Sequence, residues 1–131
     1  IPLCPVCHQT VSLTARELEA HGIATVVIGS AMDIVTWCSV PRYLHNDLPL
    51  GNPLGAPYDK GAQSQSIETA LEMVEGMENP GVHISDLSWP TGETWKTVYG
   101  QVNEENRAQL LKMGTENRAR RAADKAQGLT R

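Results

Sequence analysis

Ile23-Ala24-Thr25-Val26-Val27-Ile28, closed by Gly29-Ser30, is the stretch that sets the fold class. This nearly continuous apolar run is rich in β-branched side chains and ends in turn formers, the pattern of a strand covered on both faces. Before it, the residues from His8 to His21 are good helix formers. Val11, Ala15 and Leu18 recur there at i, i+4 and i+7, and Gly22 stands where a left-handed cap ends a helix. In front of that helix lies Cys4-Pro5-Val6-Cys7-His8. Thiol turn, helix and buried strand make an α/β unit, with the turn expected at the carboxyl end of a parallel strand, where open sheets place their ligands. The expected architecture is α/β: a small parallel or mixed sheet flanked by helices, with a helical C-terminal extension.

A Cys-x-x-Cys at the start of a helix sets a thiol beside unpaired backbone N–H groups and the positive end of the helix dipole, which favour thiolate over thiol. Cys4 is therefore a candidate nucleophile. Cys7 follows one turn later on the same face and can resolve an adduct or mixed disulfide on Cys4, so the pair can deliver two electrons. As an alternative, the same cysteines can be read as half of a structural zinc site in a protein-interaction module, completed by His8, His21, His45 or Cys38. No second Cys-x-x-Cys or His-x(3–5)-His follows, so those further ligands would have to be gathered singly. Free cysteines also serve as small core residues, the reading preferred for Cys38, which has no thiol neighbour in sequence.

The 131 residues are one domain by length, with 40% hydrophobic and 20% charged residues, ordinary values for a globular protein. No apolar run approaches the roughly 20 residues that span a bilayer, and no signal peptide opens the chain. A start at Ile1 without Met suggests that upstream residues were removed; were Ile1 to Leu3 the end of a strand, most of it would lie outside this chain. Three cysteines, an odd number, fit a reducing compartment, so the expected location is the cytoplasm. Charge is uneven: residues 1–102 carry 4 basic against 11 acidic side chains, a balance of −7, and residues 103–131 carry 7 against 4, a balance of +3. Arg118, Arg120 and Arg121 suit an acidic protein partner or a solvated helix face better than nucleic acid, since the patch is short and the body acidic.

Between residues 31 and 60, Pro41, Pro49, Pro53 and Pro57 alternate with Gly51 and Gly55 and forbid a long helix. Arg42-Tyr43-Leu44-His45 is expected as a short strand inside this loop, and Leu48 to Gly55 as a rigid turn that approaches a ligand closely. A second amphipathic helix is expected over Ala62–Met77, with Ile67, Ala70, Leu71, Val74 and Met77 on one face. Asn79-Pro80-Gly81 breaks the chain before an edge strand at Val82-His83-Ile84. Trp89-Pro90-Thr91 then opens a helix presenting Trp95, Val98, Tyr99 and Val102 on one face. The thinly apolar segment from Asn103 to about Lys125 is the last helix, too poor in apolar residues to bury much. Residues 1–79 are expected as the α/β domain and 80–131 as a helical arm for assembly.

The order and spacing over residues 4–78 resemble component B of the glycine, sarcosine and betaine reductases and the related subunit of D-proline reductase. The family carries selenocysteine-x-x-Cys, a helix, a Gly-Ile-Pro-like strand entry, an arginine and a Pro-Leu-Gly-Asn-Pro loop before a final helix. Cys4 falls at the selenocysteine, Cys7 at the cysteine, Gly22-Ile23 at the strand entry, Arg42 at the arginine and Leu48-Pro49-Leu50-Gly51-Asn52-Pro53 at the loop. Sulfur replaces selenium, a further family cysteine falls on Thr10, and residues 80–131 match nothing in the pattern. The resemblance implies a thiol-dependent reductase subunit in a hetero-oligomer, acting on a small carboxylate-bearing substrate. Cys4 would attack an activated carbon, Cys7 would resolve the adduct, and a dithiol or thioredoxin-like reductant would reset the pair. Arg42 would fork a carboxylate or phosphate, with a structural ion pair as the other reading; the Gly51-Asn52 loop would wall the site or be a plain turn, and any pyruvoyl group would belong to a partner subunit. His8 and His45 are candidates to tune the thiolate or move a proton. His21 is expected to cap its helix. The chain itself is expected to hold no cofactor or metal unless zinc takes the two thiols. No nucleic acid or membrane is expected among its partners.

Overall fold

The computed structural model describes residues 1–98 and 101–128, and within them two compact units, Ile1–Thr97 and Val98–Arg131. The first unit is an α/β fold. Helix α1 (Pro5–Ala20) leads to β1 (Val27–Gly29), then α2 (Met32–Trp37), β2 (Arg42–His45), α3 (Lys60–Gly76) and β3 (Gly81–Ile84). The strands form one sheet in the order β1-β2-β3, parallel throughout, with Val27 opposite Tyr43 and Tyr43 opposite Val82.

Alternation along the strands divides the core into two layers. Val27 and Tyr43 pack with Ala15 of α1, Val35 of α2 and Val40, whereas Ile28 and Leu44 face the other way onto Ala70 and Met73 of α3. The β1–α2–β2 connection therefore crosses one face and the β2–α3–β3 connection the opposite one. Since the strand order runs straight from β1 to β3, the two crossovers have opposite hand, and one is of the rare left-handed kind. The loops leaving the carboxyl ends of β1 and β2 consequently diverge to opposite faces of the sheet, a switch in connection of the kind at which open α/β sheets place their ligands.

Three boundaries differ from the sequence reading. The strand expected over Ile23–Ile28 forms only at Val27–Gly29, because the preceding backbone serves the end of α1. Gly22, at φ +77°, and Ile23 donate to the carbonyls of Glu19 and Leu18, and the Thr25 N–H goes to the Glu19 carboxylate at 2.5 Å. β3 pairs with β2 although it lies beyond residue 79, so the sheet continues into the segment expected to be an arm, and the units divide after Thr97. The helix expected from Trp89 onward is α4 (Thr94–Val98), five residues long. A turn closed by the Gly92 N–H on the Trp89 carbonyl takes its first residues; Val102 is exposed outside any helix, and Tyr99 lies outside the described residues.

The second unit contains α5 (Glu104–Ala126), capped by reciprocal bonds between Asn103 and Asn106. No described residue of α5 is buried.

Candidate functional site

Local chemistry fixes the first turn. Pro5 occupies the first helical position of α1, where its missing N–H costs nothing. Cys4 is the extended N-cap, its Sγ accepting the Cys7 N–H at 3.2 Å. Cys4 and Cys7 are joined as a disulfide with Cα atoms 5.1 Å apart. Cys7 is exposed and Cys4 half-buried.

His8 sits one residue further on and is fully buried, contrary to the solvent exposure usual for a first helical turn. Nδ1 donates to the Cys4 carbonyl at 2.7 Å, while Nε2 accepts the Ser30 N–H at 3.2 Å. One nitrogen donating and the other accepting is the pattern of a single neutral tautomer. The ring thereby ties the thiol turn to the carboxyl end of β1, where the turn was expected. It packs closely on Gly29: a Cβ there would stand 2.7 Å from Nε2 and 2.8 Å from Cδ2. The Ser30 hydroxyl, buried without a hydrogen-bond partner among the described residues, stands at the same place.

The neighbouring strand brings His45 to the same end of the sheet. The Tyr43 phenol meets His45 Nδ1 at 3.1 Å. Burial pushes the phenol above its ordinary range and so keeps it a donor. Burial likewise lowers the His45 pKa below its ordinary value; Asp47 opposes this, and Lys96 and His8 add to it. The lowered pKa favours a neutral His45 ring beside the Tyr43 phenol. Lys96 of α4 pairs with Asp47 and Glu93 just beyond.

Asn46, next in the chain, went unmarked in the sequence reading and is the polar hub at the carboxyl end of the sheet. Fully buried, it donates from Nδ2 to the Pro53 carbonyl at 2.7 Å and to Ser66 Oγ at 2.9 Å. Oδ1 accepts the Ser85 hydroxyl at 2.6 Å, and the backbone N–H bonds the Gly29 carbonyl. One side chain thus joins the carboxyl ends of β2 and β3, the Pro-rich loop and α3. An asparagine directly after a buried strand, before a Pro/Gly loop, was the available signal. The same loop carries Gly51, at φ +96°, and Asn52, whose N–H closes a turn on the Pro49 carbonyl. Both lie on the connection that leaves the carboxyl end of β2.

Arg42 stands elsewhere. It opens β2 at the amino end, with Nη1 on Glu19 Oε1 at 2.5 Å and Nε on the Met77 carbonyl at 3.1 Å. Glu19 is fifteen residues along the helix from Cys4, about 22 Å at 1.5 Å per residue. Of the two readings of Arg42, substrate fork and structural ion pair, the structure shows the ion pair, remote from the thiols. His21 is the C-cap of α1, as its place beside Gly22 implied. Cys38 is buried, with its carbonyl bound by Arg16.

Among the described residues no three of His, Cys, Asp and Glu gather as a metal-ligand set. The arrangement can undergo thiol–disulfide exchange at an accessible Cys7, release a thiolate at the helix amino terminus, and present neutral imidazoles at the sheet's carboxyl end. No helix among the described residues is long and apolar enough to cross a membrane. No family model, curated protein or solved structure matches the chain.

Proposed function

We propose that this chain is a cytoplasmic, thiol-dependent reductase subunit of the component B type, with Cys4 as nucleophile and Cys7 as resolving thiol. The observation that carries the reading is the Cys4–Cys7 pair at the amino terminus of α1, with Cys4 Sγ capping the helix and buried His8 fastening the turn to β1. The Cys4 thiolate attacks a carbon α to a carboxylate; a C–S bond forms and the activated leaving group departs. Cys7 thiolate then attacks Cys4 Sγ. The S–S bond forms as the C–S bond breaks, and its electron pair and a proton from solvent go to the carbon. The carbon gains two electrons and the dithiol becomes the disulfide.

His45 ends β2 and the Gly51-Asn52 loop follows it, and these are the residues of this chain assigned to substrate. A pyruvoyl group on a partner subunit would supply activation of the leaving amine. With Arg42 held by Glu19, the fork for the substrate carboxylate belongs to another subunit of the hetero-oligomer.

The reading is tested on reduced protein with limiting iodoacetamide near neutral pH, followed by peptide mapping. Cys4 is expected to label first, ahead of Cys7 and Cys38. Preferential labelling of Cys38, or about one thiolate-bound zinc per purified chain, overturns it.

A further inference from the structure

The two edges of the sheet are finished differently. β1 is buried at all three of its residues, whereas Val82, His83 and Ile84 of β3 are all exposed, Val82 by 43% and Ile84 by 64%. The helices of this unit pack over β1 and β2 and stop short of β3, which is open on both faces as well as along its outer edge.

Parallel pairing fixes which backbone groups face outward. The Gly81 N–H bonds the Pro41 carbonyl and the Ser85 N–H bonds the His45 carbonyl, both toward β2. By the two-residue repeat of a strand, His83 also turns inward, and the N–H and C=O groups of Val82 and Ile84 line the free edge. Natural edge strands are commonly guarded by a charge, a proline or a bulge. Gly81-Val82-His83-Ile84 contains no Lys, Arg, Asp, Glu or Pro, and its register with β2 is unbroken.

We infer that β3 pairs antiparallel with β3 of a second copy of this chain, about a two-fold axis through His83, giving a six-stranded sheet in the order β1-β2-β3-β3-β2-β1. Register selects that axis. It sets Val82 against Ile84 of the second copy and Ile84 against its Val82, so the four outward N–H groups meet the four outward carbonyls. An axis at Val82 would set Ile84 against Pro80, which has no N–H to give. An axis at Ile84 would set Val82 against Asp86, which lies beyond the strand with its carboxylate on Gln65. An axis between residues would set an outward group against an inward one.

The side chains agree with the backbone. Val82 and Ile84 are in register with Tyr43 and His45, on the face that α1 and α2 cover further along the sheet, and each meets a β-branched neighbour across the axis. A second copy is the occupant because the edge is complementary to itself, as an isologous contact requires. The two thiol turns, at the carboxyl ends of the outermost strands, then point in opposite directions and stay open. The inference does not depend on the dithiol function.

The test is sedimentation of the full chain at roughly 1 and 100 μM, since pairing of four residues is a small interface. Particle mass should rise twofold over that range. Ile84→Pro removes an outward N–H and leaves the ladder to β2 whole, and Val82→Lys places a charge on the edge. Each should weaken association at least about tenfold, two hydrogen bonds being lost per pair in the first, with unchanged far-ultraviolet circular dichroism. His83→Cys should form an intermolecular disulfide at residue 83 under mild oxidation, because the pair on the axis brings its Cα atoms to about 4.5 Å, within disulfide reach. Ser64→Cys, exposed on α3, is the control and should cross-link far more slowly. Association indifferent to both edge variants, or cross-linking at residue 83 no faster than at residue 64, overturns the inference. So does a chain that stays monomeric at the higher concentration, which leaves the open edge to a strand of another protein. Should Ile84→Pro disturb the fold, Val82→Lys and the cross-link decide.

Discussion

At Gly29 a hydrogen in place of a methyl lets the His8 ring reach Ser30, and that contact fixes where the thiols stand. The ring is pinned at both nitrogens and has nowhere to retreat, so Gly29→Ala should cost about 1–3 kcal/mol, the usual range for overpacking. Denaturant unfolding measures this; wild-type stability in the variant would mean that the ring is not held as described. His8 shows what sequence could not carry: a histidine in a first helical turn is ordinarily wet, and its burial comes from a strand twenty residues away. Arg42 shows the converse. Its strand was legible from Arg42 to His45, but its partner Glu19 lies at the far end of α1, a pairing that only the packed helix creates. Arg42→Lys should leave substrate affinity unchanged while lowering stability by about 1–2 kcal/mol, since a lysine cannot hold both Glu19 and the Met77 carbonyl. A raised Michaelis constant with intact stability would return Arg42 to the substrate.

Elements meet at the carboxyl end of the sheet, and polar contacts there decide how the loops are held. Asn46 joins three of them at once, so Asn46→Leu strips the buried Pro53 carbonyl of its side-chain donor, takes one of two partners from Ser66 and removes the acceptor of the half-buried Ser85 hydroxyl. A loss of about 3 kcal/mol or more is expected, with faster proteolysis inside residues 46–59 than elsewhere; a neutral variant would show that the loop is held otherwise. His45 gives the same region a pH dependence. Burial places its folded pKa below the ordinary value of 6.5, so as pH falls the unfolded chain takes up the proton first. The stability from a neutral His45 is fully present above about pH 6.5 and is lost as pH drops through the folded value. The melting temperature should therefore decline on acidification from neutrality, and His45→Gln should flatten that slope; an identical slope in the variant would assign the decline to other groups. That α1 and α3 are helices and that β3 is an edge strand could be read from the spacing of apolar residues, but which face is buried could not: α3 buries Ser66, Ala70 and Met73 and leaves the expected Ile67 and Leu71 exposed, and α1 buries His8, Ser12 and Ala15 and leaves Leu18 exposed. β1 could not be bounded in that way: the residues before Val27 are as apolar as those within it, but their hydrogen bonds belong to the helix cap.

Over the whole molecule, packing and charge are segregated along the chain. Every buried residue among those described lies at or before Met73, within the Ile1–Thr97 unit. The α5 helix has 23 residues and buries none of them, with Leu111 63% exposed. A solvated helix of that length gains little from its own propensities and is stabilised mainly by what its apolar face covers. The net charge of +3 over residues 103–131 complements the −7 carried by residues 1–102 of another copy or an acidic neighbour. On these grounds we propose that α5 is an assembly element. Deleting Asn103–Arg131 should therefore lower the assembly mass seen by light scattering. The unfolding free energy of the α/β unit should change by less than about 0.5 kcal/mol, the scale of surface changes away from packed features, and Cys4 should alkylate at its former rate. Retention of the full mass would show that α5 joins nothing. Unfolding of the truncated chain would show instead that the core depends on contacts made by residues 103–131.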